Sequence, residues 1–280
     1  MSTAHSEVVQ TARDYYNSED ADNFYFHVWG GEDIHIGLYQ SDDEPIAPAS
    51  RRTVAHMADK VGSLGTEARV LDLGSGYGGA ARYLAERFGC RVTALNLSEA
   101  ENARHRQYNA ERGLEGRIEV VDGNFEQVPM ADASVDLVWS QDAILHSGER
   151  ARVIAEVARV LRPGGQFIFT DPMQADDCPA GVLQPVLDRI HLDSLGSVAF
   201  YGEAAAAAGL ERVEAQLLTD RLVRHYRRVR EELIARRSEL AGLVSHDYIE
   251  RMLKGLGHWV DAGRQGYLAW GVLQFRKPAA

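Results

Sequence analysis

Two side chains that could move a proton stand four positions apart near the middle of the chain. His146 has an unperturbed pKa near neutrality, which makes it the best candidate for a general base. If the segment from Asp142 to His146 forms a helical turn, the two side chains share a face and the carboxylate can orient the imidazole ring. The alternative is a structural histidine that follows a helix-capping aspartate.

A glycine-rich turn follows the first predicted strand, and its backbone could approach a nucleotide-like ligand. Gly74 and Gly76 flank Ser75 in this turn, and side chains at the glycine positions would collide with such a ligand. Asp72 lies inside the strand, where a dehydrogenase is usually apolar, and its carboxylate can interact with a positively charged ligand. The turn therefore favours S-adenosylmethionine over a nicotinamide dinucleotide, which stays as the alternative.

Two further predicted strands end in polar residues at the edge where open α/β sheets bind ligands. Asn96 ends the second strand, where ribose hydroxyls are bound, and its amide can bind a diol. Asn124 and Phe125 follow the third strand, where an amide can bond an adenine and an aromatic ring can cover its face. These positions predict a site for the adenosine part of the same ligand.

A parallel sheet is needed to hold these residues together. From about residue 67, strands alternate with helices at about 30 residues a unit, which is typical of such a sheet with crossover helices. The predicted strands are 69–73, 91–96, 117–121, 135–139 and 166–171, and the predicted helices are 80–88, 98–112 and 148–161.

The remaining chain predicts additions to this sheet. A short helix at 202–208, a strand at 211–218, a charged helical stretch over 220–255 and a last strand at 267–276 follow. We expect one α/β domain over 1–280, made of an aromatic-rich cap (1–60), a core that binds S-adenosylmethionine (61–175) and acceptor-side helices with the last strands (176–280).

Composition narrows the classes of partner. The 41 acidic and 30 basic residues give a formal net charge of −11, which repels nucleic acid and disfavours a membrane-surface role. No apolar run approaches the roughly 18 residues that cross a bilayer, and the first residues lack the pattern of a signal peptide. The two cysteines cannot form a disulfide framework. We expect a cytoplasmic protein, monomeric or weakly homo-oligomeric, without a bound metal.

Five motifs carry a resemblance to a known family: VLDLGSGYGG, ALNLS, VDGNFEQVP, DLVWSQDAILH and VARVLRPGGQFIFTDP. In this order and spacing they resemble the class I S-adenosylmethionine-dependent methyltransferases. DAILH and the aromatic cap narrow the resemblance to small-amine N-methyltransferases, and nearly the whole chain is similar to the sarcosine/dimethylglycine N-methyltransferases.

The resemblance implies a fold, a cofactor site and an activity. The fold would be a Rossmann-like sheet with helices on both faces and an N-terminal helical cap. The activity would be transfer of methyl groups from S-adenosylmethionine to the amines of sarcosine and dimethylglycine, giving the osmoprotectant glycine betaine. The implied cofactor contacts are Gly74, Asn96, Leu97, Asn124, Phe125 and Gln141. Asn96 departs from the family pattern, since an acidic residue is usual there.

Such an acceptor, a small methylated amino acid, needs aromatic surface. Rings attract methylated ammonium groups and favour a neutral amine by desolvation. Seven aromatic residues lie between positions 15 and 39, and Tyr16, Tyr25, Trp29 and Tyr39 could form the lining. Tyr16 would then act beside His146 in catalysis. Packing of the cap onto the core is the alternative for each ring.

The acceptor also needs a cation for its carboxylate, preferably an arginine with its two-pronged guanidinium. Arg51, Arg52 and Arg189 are the candidates near the appropriate strand ends. Pro172 and Met173, after the fifth strand, offer a small apolar surface that suits an acceptor already carrying methyl groups. A methyltransferase of another acceptor, such as phosphoethanolamine, a dehydrogenase and a non-catalytic S-adenosylmethionine-binding module stay as alternatives.

Overall fold

Seven strands form one mixed sheet in the computed structural model, which describes residues 7–279. The strands are β1 Arg69–Leu73, β2 Arg91–Asn96, β3 Ile118–Asp122, β4 Val135–Gln141, β5 Leu161–Thr170, β6 Met173–Gln174, β7 Glu211–Leu217, β8 Leu268–Ala269 and β9 Gly271–Arg276. The sheet order is β3-β2-β1-β4-β5-β9-β7, and β9 runs antiparallel to both neighbours. β6 and β8 form a separate two-stranded pair. The other neighbouring strands of the sheet are parallel.

Helices cover both faces of this sheet. They are α1 Glu7–Tyr16, α2 Glu19–Phe24, α3 Ile46–Val61, α4 Gly79–Phe88, α5 Glu99–Glu111, α6 Arg150–Val160, α7 Gln184–Ile190, α8 Val198–Ala207, α9 Thr219–Ala235 and α10 His246–Arg264. Alternate residues of a strand point to opposite faces. Val70 accordingly packs with α3 and α4, whereas Leu71 packs with α6. The predicted fold class is therefore confirmed.

The N-terminal segment folds over the carboxyl edge of the sheet. A π-helical turn, Tyr25–Trp29, follows α2, and its aromatic residues share a buried cluster with residues of α9 and α10. Arg13 of α1 pairs with Glu99 of α5, and Ser98 donates a hydrogen bond to Asn17 Oδ1 at 2.8 Å. These contacts hold α1 above the start of α5, next to the glycine turn.

The chain after β5 differs from the predicted pattern in three places. The charged stretch 220–255 contains almost all of α9 and the first half of α10, which turns at 236–245 separate, and the predicted strand 267–276 is divided into β8 and β9. α7 is a helix in a segment for which the sequence predicts no element, and it contains Pro185. Proline is tolerated in the first turn of a helix, where its missing N–H has no helical partner, and Pro185 occupies that turn. Within residues 7–279, no helix has both the length and the apolar composition needed for a membrane crossing.

Candidate active site

A cavity of about 760 Å³ opens at the carboxyl ends of β1, β2 and β4. Seven of the predicted cofactor residues line it: Gly74, Gly76, Asn96, Leu97, Asn124, Phe125 and Gln141. Asp72 and Ser75 line a smaller cavity of about 320 Å³, which shares Gly74, Gly76 and Gln141 with the first. The structure thus brings all nine of these residues together.

The glycine turn is held tightly between two elements. Gly74 has a φ of +71°, and a Cβ built there would lie 2.3 Å from the Cβ of Ala143, just beyond β4. Gly78 has a φ of +80°, and its Cβ would lie 2.0 Å from Nε2 of His105 in α5. Both positions require glycine for conformation and for space. The turn therefore has little freedom to move when a ligand binds.

Several buried polar atoms beside this turn have no hydrogen-bond partner among residues 7–279. They include Asp72 Oδ2, Ser75 Oγ and Gln141 Nε2. The Gln141 amide accepts a 3.0 Å hydrogen bond from Trp139 Nε1 through Oε1, so its Nε2 is left as a donor at the two cavities. Buried polar atoms are normally paired in folded proteins. Their arrangement fits a ligand with both donors and acceptors, such as the amino acid end of S-adenosylmethionine.

A carboxylate missed by the sequence analysis lies next to Asn96. Glu101 is buried, lines the 760 Å³ cavity and accepts a 2.9 Å hydrogen bond from Asn96 Nδ2. Burial raises the pKa of Glu101 to about 7. Ser98 followed by Glu101 is the pattern of a helix-capping box, which explains why the glutamate was overlooked. In the folded chain a carboxyl group thus lies beside Asn96, the position at which the resemblance implies an acidic residue.

A second cavity, of about 730 Å³, lies beneath the cap and is lined mainly by rings. The aromatic lining comprises Tyr15, Tyr16, Tyr25, Trp29, Tyr226 and Trp259. Tyr16, Tyr25, Ile34, Asp142 and His146 line both this cavity and the 760 Å³ cavity. We call the 760 Å³ space the cofactor cavity and the ring-lined space the acceptor cavity. Groups bound in the two cavities would meet at these shared residues.

Tyr16 and His146 form a hydrogen-bonded pair at this junction. The Tyr16 hydroxyl lies 2.8 Å from His146 Nε2. Burial, together with the positive charges of Arg189 and Arg150, lowers the pKa of His146 to about 4. Burial also raises the pKa of Tyr16 well above 10. Both side chains are therefore neutral at physiological pH, and the imidazole is a weaker base than the sequence suggested.

Asp142 forms no hydrogen bond with His146 within residues 7–279, so the prediction that its carboxylate orients the imidazole ring is wrong. Asp142 has a φ of +50°, and a short 3₁₀-helix follows it in place of an α-helical turn. Its Oδ2 accepts a 2.7 Å hydrogen bond from the backbone of Ile36, and its Oδ1 accepts a 2.8 Å hydrogen bond from Trp270 Nε1. The half-buried carboxylate thereby links Ile36 of the cap to Trp270, between β8 and β9.

The three arginines predicted as candidates for binding the acceptor carboxylate differ in their ion pairs and in whether they line the acceptor cavity. Arg52 forms an ion pair with Glu44 at 2.5 Å and donates a hydrogen bond to a backbone carbonyl. Arg52 lines neither cavity, so its assignment to the acceptor site is wrong. Arg51 is likewise occupied, because it pairs with Asp33 at 2.9 Å. Arg189 lines the acceptor cavity, and its buried Nε has no partner. No carboxylate of residues 7–279 forms an ion pair with Arg189.

Two other predicted acceptor contacts are wrong for geometric reasons. Pro172 lines the acceptor cavity, but Met173 is fully buried in the core beneath the sheet, because consecutive residues of an extended chain point to opposite sides. Tyr39 is also buried away from the acceptor cavity, and its hydroxyl lies 2.8 Å from Nδ1 of His225. Tyr16, Tyr25, Trp29, Pro172 and Arg189 are thus the predicted residues that reach this cavity.

Comparison with known proteins assigns the family. The family described as "Methyltransferase domain" matches residues 71–169. A sarcosine/dimethylglycine N-methyltransferase from Halorhodospira halochloris is 60% identical over 97% of both chains. The enzyme of the same name from Aphanothece halophytica is 54% identical over 97% of this chain and 98% of that one. The crystal structure of a Galdieria sulphuraria protein, proposed to be a sarcosine dimethylglycine methyltransferase, matches with a TM-score of 0.90 and 45% identity over 95% of this chain and 100% of that chain.

This similarity extends well beyond the glycine turn that many α/β proteins share. It includes the cap and the acceptor-side helices, because 97% of the chain aligns with the Halorhodospira enzyme. The similarity to these methyltransferases excludes the alternative that the chain is a dehydrogenase. It also agrees with the cofactor cavity, whose polar atoms without partners fit S-adenosylmethionine. The chain belongs to the sarcosine/dimethylglycine N-methyltransferases, which are S-adenosylmethionine-dependent enzymes of the class I methyltransferase fold.

Proposed function

We propose that this chain methylates the amines of sarcosine and dimethylglycine with S-adenosylmethionine as donor, giving glycine betaine. The observation that carries the proposal is a ring-lined cavity that borders the cofactor cavity and contains Arg189, an arginine with no ion-pair partner among residues 7–279. Arg189 would bind the acceptor carboxylate through its guanidinium. The rings of Tyr16, Tyr25 and Trp29 would surround the methylated amine.

The cofactor would be held by residues around the glycine turn. Glu101 and Asn96 would bind the ribose hydroxyls, while Phe125 would cover the adenine. Asp72 and Gln141 would bind the amino acid end. Burial and the nearby Asp33 carboxylate raise the pKa of Asp72 to about 7, so a cationic ligand would favour its ionised form. When bound, S-adenosylmethionine supplies an electrophilic methyl group.

The acceptor amine must be neutral to attack, because an ammonium has no lone pair. The rings of the acceptor cavity favour the neutral amine by excluding water, and the nearby Arg189 charge disfavours a second cation. Neutral His146 would hold the Tyr16 hydroxyl at the junction of the two cavities. We therefore propose that desolvation by the cap does most of this work, while His146 and Tyr16 orient the amine.

The pH dependence of the rate distinguishes these roles. With dimethylglycine, kcat/KM should rise between about pH 6 and 9, because the fraction of acceptor with a neutral amine rises. His146 should add no inflection to this profile, because its pKa of about 4 keeps the imidazole neutral throughout the range. His146→Asn should cost about 2- to 10-fold, the scale of one lost hydrogen bond, with an unchanged profile. Initial rates across this pH range would measure both.

Tyr16→Phe is the matched variant, since it removes the other half of the same hydrogen bond. The double variant should lose little more than either single variant, because partners in one contact are not additive. A loss of about 100-fold or more for His146→Asn, with a changed pH profile, would return the general-base role to the histidine.

Acceptor choice tests the function directly. Sarcosine and dimethylglycine should be methylated, glycine poorly and phosphoethanolamine not at all. The apolar surface of Pro172 suits a methylated amine, and Arg189 is the one arginine in a lining that contains no lysine. A phosphate group would need more cations than this. Masses of the products from the four acceptors would decide, and efficient turnover of phosphoethanolamine would contradict the proposal.

We also propose that the chain acts as one methyltransferase domain over 1–280, as a monomer or weak homo-oligomer in the cytoplasm. Cys90 and Cys178 are both free, which suits a reducing compartment. The large exposed apolar side chains of the described part are spread over several elements: Val182, Phe200, Val213, Leu217, Ile234 and Leu243. This scatter supports a weak association at most.

A further inference from the structure

Arg189 crosses from an outer groove to the acceptor cavity. It lines both spaces, and the groove lies among α1, α7 and α10. Its Nη2 lies 3.5 Å from Sδ of Met252, and its buried Nε has no hydrogen-bond partner. Since no carboxylate of the described residues pairs with it, packing must hold this guanidinium in place. The stem of the side chain needs room to pass between the helices.

Gly255 of α10 provides that room. A Cβ built on Gly255 would lie 2.1 Å from Cδ of Arg189, and 2.8 Å from both Cγ and Nε. Real Cβ atoms do not approach other atoms this closely, so any side chain at this position would displace the arginine. Gly255 is buried inside the helix. Glycine there costs about 1 kcal/mol relative to alanine, so the helix itself has no reason to contain it.

We propose that Gly255 is a positioning residue, which forms the slot through which Arg189 reaches the carboxylate of the acceptor. This inference rests on the proposed function, because the anion for Arg189 is the carboxylate of sarcosine or dimethylglycine. A guanidinium held by shape keeps its full charge for the ligand, whereas one held by an ion pair, as Arg52 is, does not. Gly255 would therefore affect acceptor binding without touching the acceptor.

Gly257 offers a matched control in the same helix. A Cβ there would have open space, with nothing within 4 Å. Alanine at either position brings the same gain in helix propensity. The two variants differ only in the contact with Arg189, so any difference in acceptor binding between them reports on that contact.

The expected result for Gly255→Ala is a rise of about tenfold or more in KM for dimethylglycine, since a displacement of about 1 Å can cost up to 100-fold. The affinity for S-adenosylmethionine should stay within about twofold, because the glycine turn is on the other side of the site. Gly257→Ala should leave KM unchanged. Equal KM values for both variants would overturn the proposal.

A double-mutant cycle that combines Gly255→Ala with Arg189→Ala tests whether Gly255 has a purely structural role. Alanine at position 189 lacks Cγ, Cδ and Nε, the three atoms that a Cβ on residue 255 would meet. In the Arg189→Ala background, Gly255→Ala should add no further rise in KM, and any loss of melting temperature caused by Gly255→Ala should be recovered. An equal rise in KM, or an equal loss of melting temperature, in that background would overturn the proposal.

The same cycle separates the two proposals. A strong effect of Arg189→Ala with none for Gly255→Ala would overturn the slot and leave the carboxylate site intact. If Arg189→Ala itself left KM for dimethylglycine unchanged, the carboxylate site and the slot would both be wrong.

Discussion

Gly74→Ala should weaken the binding of S-adenosylmethionine by about 100-fold, the scale expected when a site is displaced by about 1 Å. The added Cβ would lie 2.3 Å from the Cβ of Ala143, so the turn or the end of β4 must move. Gly74 and Ala143 both line the cofactor cavity, and the ring of Phe125 lies 3.7 Å from the same added atom. Calorimetric titration of the variant with S-adenosylmethionine would measure the loss.

Gly113→Ala is the control for backbone strain. Gly113 has a φ of +66°, close to the +71° of Gly74, but nothing lies within 4 Å of a Cβ built there. Each alanine should therefore cost about 1 kcal/mol in the left-handed conformation, and only the variant at Gly74 should lose the cofactor. Equal affinities in the two variants would mean that the glycine turn does not contact S-adenosylmethionine.

The cofactor side was predictable because its signals are local. The order of strand, turn and helix places Asp72 and Gly74 without knowledge of the rest of the chain. Asn96 and Asn124 follow because parallel strands bring their carboxyl ends to one edge. Glu101 was not predicted as a site residue, because its spacing from Ser98 is equally typical of a helix-capping box.

The acceptor side was less predictable because it depends on distant contacts. Arg52 and Arg189 are equivalent as residue types, and what separates them is that Glu44 neutralises one while α10 packs beside the other. Asp142 shows the same limit. Its spacing from His146 suggested a helical pair, but its partners are Ile36 and Trp270, which lie 106 and 128 positions away. Spacing in the sequence predicts neighbours only where the local conformation is known.

Asp142 lies where the cofactor cavity and the acceptor cavity meet, and its observed role differs from the predicted one. Asp142 lines the acceptor cavity and links Ile36 of the cap, which lines the same cavity, to Trp270 between β8 and β9. Burial raises the pKa of this carboxyl, although the two N–H donors favour its charged form. The carboxylate that the sequence assigned to orienting His146 therefore links two distant segments beside the site.

Arg189→Gln should raise KM for sarcosine and for dimethylglycine by about 10- to 100-fold, the scale of a hydrogen bond to a charged group. Glutamine retains much of the buried stem but lacks the charge and the paired donors that bind a carboxylate. The affinity for S-adenosylmethionine should change little, because Arg189 lines the acceptor cavity and not the cofactor cavity. Initial rates with each acceptor, and titration with the cofactor, would measure both effects.

Arg52→Gln is the control, since it removes an equal charge from an arginine that pairs with Glu44 outside both cavities. This variant should leave both KM values within about twofold of the parent, although the lost ion pair can lower stability by up to about 1 kcal/mol. If the two variants raised KM equally, the effect would come from net charge at long range. An effect confined to Arg189→Gln would tie acceptor binding to the arginine that lines the acceptor cavity and forms no ion pair within the described residues.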